Sequence, residues 1–465
     1  QSTHSPVAMV PLPTSNSATK CAFVVTNDKR RRHLRLNMRM NQKSTPTFFA
    51  TFCICLFLSG CLSSETSEDP EEWIALINPI IETGDHPPVV ANIRIIDGPS
   101  GQMIVYTEPL EGTFSTVSPS SCTAYHSDEC VFESYNLTEN STFAPVRITH
   151  GSVGENNTSV WIISDIGILY PSNEKQGRVI LYDYHSQEST TVIEGIGRTV
   201  CAEPGDFDGD GDDDLTLCEF GHDEGTVSWL ENEEGNWTQH ILDPRPGSIQ
   251  AIPVDVDGDD DLDIVAVLSQ NVEEVMLYRN DGTGNFTSES LYHSNLTYYG
   301  MSGLRIADLD KDGDNDIIFT NGDTMDFDTP SGINPNHLHG VAWLENDGDG
   351  EFTYHDLTRN WGAYDTAFSD VDNDGDLDII LICLQTDDQF PAETERTQII
   401  LLEQQDSSWV RHDVVTFSPH RMLTITQDKY SGSFLVASHD PLNQGGNLFT
   451  LAELFIFPTH MLELD

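Results

Sequence analysis

Basic residues are scarce. The 465-residue chain has 22 Lys and Arg against 76 Asp and Glu, a formal net charge of -54. Eight of the 22 precede residue 61, where Asp28 is the only acid, so the rest of the chain holds 14 basic and 75 acidic residues. Such a surface repels nucleic acid and excludes that class of partner. It suits divalent cations, saline surroundings or high solubility. No segment beyond the first 60 residues keeps a helical period, which excludes helical bundles and coiled coils. Gly-x-Ser-x-Gly, a P-loop, His-Glu-x-x-His and Gly-x-Gly-x-x-Gly are all missing, and with them the common signatures of hydrolases, nucleotide enzymes and zinc proteases. The nine cysteines show neither zinc spacing nor a haem-attachment pattern. Acidity of this order often accompanies disorder, but 38% hydrophobic residues in short runs argue for a folded body.

The basic residues that do exist explain part of the organisation. "KRRRHLRLNMRMNQK" precedes the apolar run "TFFATFCICLFLSGC" (47–61), which is shorter than the roughly 20 residues a membrane-spanning helix needs. The layout is that of a secretory signal. Leu58-Ser59-Gly60-Cys61 resembles the lipobox of prokaryotic lipoproteins, in which the cysteine is acylated and becomes the mature N-terminus. Residues 1–60 are thus expected to be a leader, and a start at Met38 or Met40 would leave 1–37 upstream of it. Cys61 is the expected lipidation site, and 61–88, which opens on the polar, acidic and aperiodic "LSSETSEDPEE", is the expected tether. In an exported chain Cys122 and Cys130 can close a small loop, and Cys201 and Cys218 can bridge neighbouring strands.

Four acidic stretches repeat: "DFDGDGDDDL" from Asp206, "DVDGDDDLDI" from Asp255, "DLDKDGDNDI" from Asp308 and "DVDNDGDLDI" from Asp370, separated by 49, 53 and 62 residues. Like charges about 4 Å apart repel by roughly 4 kcal/mol at an effective dielectric of 20, so folding such loops calls for a cation or for splayed side chains. Each stretch leads into an apolar strand and then a hairpin: "VSWLENEEGNW", "VMLYRNDGTGNF", "VAWLENDGDGEF" and "IILLEQQDSSW". Asn, Asp and Gly at the turns accept positive φ. Four strands per unit at this period describe a propeller blade. Three weaker units, 91–117, 159–195 and 422–457, keep the strand rhythm without a complete acidic loop. The expectation is an all-β, seven-bladed β-propeller of four-stranded blades over residues 89–465, with clear repeats in 198–416. "EEWIALINPII" (71–81) is expected to supply an outer strand that closes the ring.

The shared pattern, D-x-D-x-D-G-x-x-D, places alternate carboxylates on the inside of a tight turn, as calcium requires with its six to eight oxygen ligands. β-Branched flanks such as "DIIFT" rule out the helical frame of an EF-hand. The units resemble FG-GAP/VCBS repeats, the calcium-loop propeller blades of integrin α head domains and many prokaryotic surface proteins. The resemblance implies one Ca2+ per loop, four in all. The implied ligands are Asp206, Asp208, Asp210, Asp212 and Asp214; Asp255, Asp257, Asp259, Asp261 and Asp263; Asp308, Asp310, Asp312, Asp314 and Asp316; and Asp370, Asp372, Asp374, Asp376 and Asp378. The seventh position of each is expected to ligate through its carbonyl. In the second loop Asp260 stands where the pattern has glycine, and that loop is expected to bind most weakly.

One insertion stands out. "NGDTMDFDTPSGINPNHLHG" (321–340) lengthens the fifth unit and carries Asp323, Asp326, Asp328, His337 and His339, a possible second metal or ligand site. Sequons at Asn136, Asn140, Asn156, Asn157, Asn236, Asn285 and Asn295 mark exposed turns in a host that glycosylates, and 121–143 reads as a surface excursion. The expected function is a monomeric, calcium-stabilised binding or adhesion module for protein or glycan, lipid-anchored to the outer face of a prokaryotic membrane. The competing reading is a propeller-fold enzyme, a lyase or dehydratase acting on carbohydrate through the insertion.

Overall fold

The computed structural model describes residues 21–24, 37–38, 73–82, 90–98, 101–117, 132–137, 143–153, 159–323, 330–385, 397–405, 408–416, 422–428, 433–438 and 449–458. They form seven antiparallel sheets; in six the strands follow one another in sequence order, and the seventh pairs early strands with late ones. The first strands of successive blades touch in a closed ring around a central axis. Among the described residues the sole helical element is a single 3-10 turn, Pro335–His337. The fold is an all-β, seven-bladed propeller.

Blades three to six carry the acidic loops. Their first strands are Thr199–Cys201 with Pro204–Gly205, Ser248–Val254, Met301–Ala307 and Ala363–Ser369. Their second strands, Asp214–Glu219, Asp263–Ser269, Asp316–Asn321 and Asp378–Cys383, are buried at every position. A strand sandwiched between two neighbouring blades has no wet face, which is why these strands read as continuous apolar runs rather than as alternation. Outer strands such as Phe286–Ser294 are mostly exposed. The hydrophobic core is accordingly seven layers rather than one centre. Each buried cluster draws its side chains from two adjacent blades; Val265 and Leu277 of blade four, for example, meet Leu304 and Phe319 of blade five.

The ring closes as expected. Blade seven combines Met422–Asp428, Ser433–Ser438 and Phe449–Pro458 with the outer strand Trp73–Glu82, in which Trp73 lies opposite Pro458 and Ile77 opposite Leu454. Two short strands, Cys21–Val24 and Asn37–Met38, extend that sheet. Cys201 and Cys218 form a disulfide across paired strands with a Cα–Cα distance of 5.0 Å, whereas Cys383 is free and buried. Cys61, Cys122 and Cys130 lie outside the described residues, and of the expected tether only Trp73–Glu82 lies within them, where it is a paired strand rather than a linker.

Blade one corrects one reading. Phe132–Tyr135, within the supposed surface excursion, is its fourth strand. The Tyr135 ring stacks on Phe114 at 5.0 Å and meets Trp161 of blade two edge-on, so aromatic packing commits this polar-looking segment to the sheet.

Candidate metal centres

All four acidic loops bridge the first and second strands of their blades, at the same end of the ring. The residue at position two of each (Phe207, Val256, Leu309, Val371) packs into an inter-blade core cluster and pins the loop to the body. Backbone N–H groups then shape the aspartates. The amides of Gly211, Asp260, Gly313 and Gly375 donate to Oδ2 of the first aspartate at 3.0–3.2 Å. The amides of Asp212, Asp261, Asp314 and Asp376 donate to the fifth-position carboxylates.

The geometry brings three carboxylates together in every loop, with ligating atoms within 4.8 Å of one another: Asp206, Asp208 and Asp210; Asp255, Asp257 and Asp259; Asp308, Asp310 and Asp316; Asp370, Asp372 and Asp374. The seventh-position side chains of Asp212, Asp261, Asp314 and Asp376, that of Asp312, and the ninth-position side chains of Asp214, Asp263 and Asp378 stand outside these groups. Those of Asp261 and Asp314 lie against Gly282 and Gly348 of their own hairpins, where a Cβ would collide with the carboxylate.

Three carboxylate oxygens, Asp257 Oδ1, Asp308 Oδ1 and Asp370 Oδ1, are buried with no hydrogen-bond partner among the described residues. An anionic oxygen in that condition is costly unless a cation faces it. Burial, reinforced by neighbouring acids, raises the pKa values of Asp208, Asp310 and Asp372. A hard divalent ion fits this all-oxygen donor set.

The ninth aspartate does more than close the loop. Asp214, Asp263, Asp316 and Asp378 are each at most 2% exposed. One oxygen accepts the N–H of position two, at 3.0, 3.3, 2.9 and 2.8 Å. The other accepts an N–H from the end of the third strand, at Asn232, Asn280, Asn346 and Gln404. Burial pushes Asp214 and Asp378 up to about 7 and Asp263 and Asp316 up to about 6, against the pull of those amides.

The side chains of the same third-strand residues join blade to blade. Asn280 Nδ2 donates to Leu262 O of its own loop and, at 2.7 Å, to Phe207 O of the preceding one. Asn346 Nδ2 repeats this with Asn315 O and Val256 O. Gln404, with its amide nitrogen turned toward the acceptors, reaches Leu377 O and Leu309 O. Four loops thus form one hydrogen-bonded chain along the rim, anchored at each step by a ninth aspartate.

Two details escape single-motif reading. Position four is left-handed as well as position six: Gly209, Gly258, Lys311 and Asn373 have φ of 75°, 73°, 61° and 64°, and Asp260 at position six has 71°. Loops two, three and four therefore each hold one non-glycine residue in that region, so strain alone does not single out the second. What does is Arg279, whose Nη1 donates to Asp257 Oδ2 at 3.2 Å. In the other loop-bearing blades that place belongs to Glu231, Glu345 and Glu403, each paired with a histidine, His240, His355 and His412. Aligning "WLEN", "LYRN", "WLEN" and "LLEQ" exposes the exchange.

The insertion gathers no comparable site. His339 is fully buried; its Nδ1 accepts from Gly362 N–H at 3.4 Å, and burial lowers its pKa to about 4, leaving a neutral ring. His337 is exposed on the 3-10 turn. Among the described residues neither histidine nor Asp323 belongs to a group of potential metal ligands, and Asp326 and Asp328 lie outside the described residues.

Comparison with known proteins adds the following. Residues 206–266 and 255–319 match the family model described as an FG-GAP-like repeat, a span that holds the first three loops. No curated protein matches the chain. Among solved structures, the N-terminal domain of Nup159 is similar at 11% identity, covering 85% of this chain and 98% of that one with a TM-score of 0.43. Saccharomyces cerevisiae Sqt1 is similar at 12% identity, covering 82% and 99% with a TM-score of 0.45.

Proposed function

Starting from FG-GAP-like repeats at residues 206–319 set in a seven-bladed propeller, a fold that fits a binding or adhesion module, we propose that this chain is a calcium-stabilised extracytoplasmic binding protein. The carrying observation is the set of unpartnered buried carboxylate oxygens inside three-carboxylate clusters. The first, third, fifth and ninth aspartates of each loop would hold the ion, with the seventh-position carbonyl. Bound calcium supplies positive charge that offsets the mutual repulsion of the loop. The protein's own part is to pre-form the turn through the ninth aspartate and to tie each loop to the next.

Lipidation at Cys61 would place the module on the outer face of a prokaryotic membrane, where it would meet a protein or glycan as a monomer. Mass spectrometry of the mature N-terminus checks the anchor: an unmodified Cys61, or a terminus elsewhere, counts against it. A screen of glycans and surface proteins with and without calcium tests the module itself. Calcium-dependent capture of a defined ligand is expected; a protein that binds nothing in either condition, yet turns over a carbohydrate, would favour the lyase reading. Among the described residues the buried ring of His339 and the exposed His337 share no group of potential ligands.

A further inference from the structure

Of the 14 basic residues after residue 60, three gather on the axis of the ring. Arg94, Arg147 and Arg305 belong to the first strands of blades one, two and five. Glu203, at the inner edge of blade three, and Asp365, on the first strand of blade six, lie among them. Arg305 is well supplied: Nη2 donates to Asp365 Oδ2 at 2.7 Å, Nε to Thr366 O at 3.1 Å and Nη1 to Leu304 O at 3.2 Å. Arg94 and Arg147 are not. Their Nη2 and Nη1 share one acceptor, Glu203 Oε1, at 3.3 and 3.4 Å. Among the described residues no further acceptor serves either group, and Arg94 Nε is buried without any partner. Each guanidinium offers five N–H donors in a rigid fork; Arg94 Nε is the one nitrogen of the pair that is buried and unpartnered, and the others not bonded to Glu203 keep access to solvent and so to a ligand.

The charges agree with the geometry. Three guanidiniums face two carboxylates, leaving one positive charge in the middle of an acidic molecule. Although Arg147 and Arg305 sit across the ring from each other, they feel one another: burial first, with Arg94 and Arg305 adding to it and Glu203 opposing, moves Arg147 down to about 10. A planar carboxylate matches the fork of a guanidinium, and a single negative charge balances the cluster. We propose that the centre of the ring, where the first strands meet, holds a binding site for a small monoanionic carboxylate, clasped by Arg94 and Arg147 beside Glu203. Extended polyanions are disfavoured by the acidic exterior. Blades one and two contribute both arginines and carry no complete acidic loop, so the site stands apart from the calcium reading.

Calorimetric titration of the calcium-saturated full chain with acetate and with D-glucuronate tests this, against chloride and sulfate at matched ionic strength. Saturable binding of the carboxylates is expected. Arg147→Gln should weaken it by about tenfold or more, and Glu203→Gln, which removes the competing carboxylate, should tighten it by about tenfold. Should Arg147→Gln fail to fold, Arg147→Lys keeps the charge, loses the fork and is expected to weaken binding severalfold. Equal affinity in the wild type and the Arg147 variant, or no saturable carboxylate binding in either the wild type or Glu203→Gln, overturns the proposal. Tighter binding of sulfate than of acetate overturns the monoanion assignment.

Discussion

The loops 255–263 and 308–316 occupy adjacent blades and share a nine-residue pattern, yet a different side chain stands beside each. Next to Asp310 is Glu345, an acid that adds to burial and to Asp312 in raising that carboxylate's pKa. Next to Asp257 is Arg279, which donates to it and also to Gly350 O in the hairpin of blade five. The backbone frame is otherwise the same: Asp263 and Asp316 each accept two amides, and Asn280 and Asn346 each bridge two loops. The comparison separates two jobs. The ninth aspartate and the amide bridge build the corner, and on the proposed calcium reading the residue flanking position three would set how strongly the corner holds its ion.

Chelation should produce the largest effect and can break the comparison outright. A ligand bound only by the folded state at a hundredfold excess over its Kd contributes about 2.7 kcal/mol per site. Graded EDTA should lower the Tm sharply, the second loop releasing its ion before the other three. An unchanged melt would remove calcium from the account, and a single release step would remove the distinction between loops. Asp316→Ala and Asp263→Ala should each cost roughly 2–4 kcal/mol, because each strands two backbone amides. If building the corner is separate from holding the ion, denaturant titration in EDTA should find the two losses alike.

A pH series probes blade four at its far end, away from the loop. Glu273 is buried, accepts Met301 N–H at 2.8 Å, and is pushed up to about 8, mainly by burial, against an ordinary value of 4.5. Its contribution to stability is full below about pH 4.5 and is lost as pH rises through 8, at up to about 1.4 kcal/mol per unit. Glu273→Gln should flatten the denaturation midpoint over that window; an unaltered slope would assign it to other groups. Arg279→Glu, which gives the second loop the flank of its neighbours, should raise that loop's calcium affinity by about tenfold, near 1.4 kcal/mol. Smallest of all, Asp260→Gly and Lys311→Gly should each stabilise the calcium-loaded protein by about 1 kcal/mol, the left-handed cost of a residue with a Cβ. A gain confined to Asp260→Gly would restore backbone strain as the mark of the second loop.

Much of this architecture could be read from residues close in the chain. The alternating aspartates, the hairpin turns and the apolar second strands are local signals, and the period between them implies blades. The closing strand at 73–82 was readable because one apolar run had no unit of its own. What stayed hidden joins residues a blade or more apart. Asn280 bonding to Phe207, the arginines meeting on the axis, and Tyr135 stacking on Phe114 across a loop depend on where the ring brings distant segments. Arg279 lay between these cases, visible only as a mismatch in a column of glutamates.

The outer strand of blade seven bears on how the ring is completed. Trp73–Glu82 runs antiparallel to Phe449–Pro458 with its first residue opposite the last, so the circle is fastened by two segments that lie far apart along the chain. The seam can form only once both are present, which makes closure a long-range step. Removing either segment would leave blade seven with an unpaired edge and the circle with nothing to join its two sides.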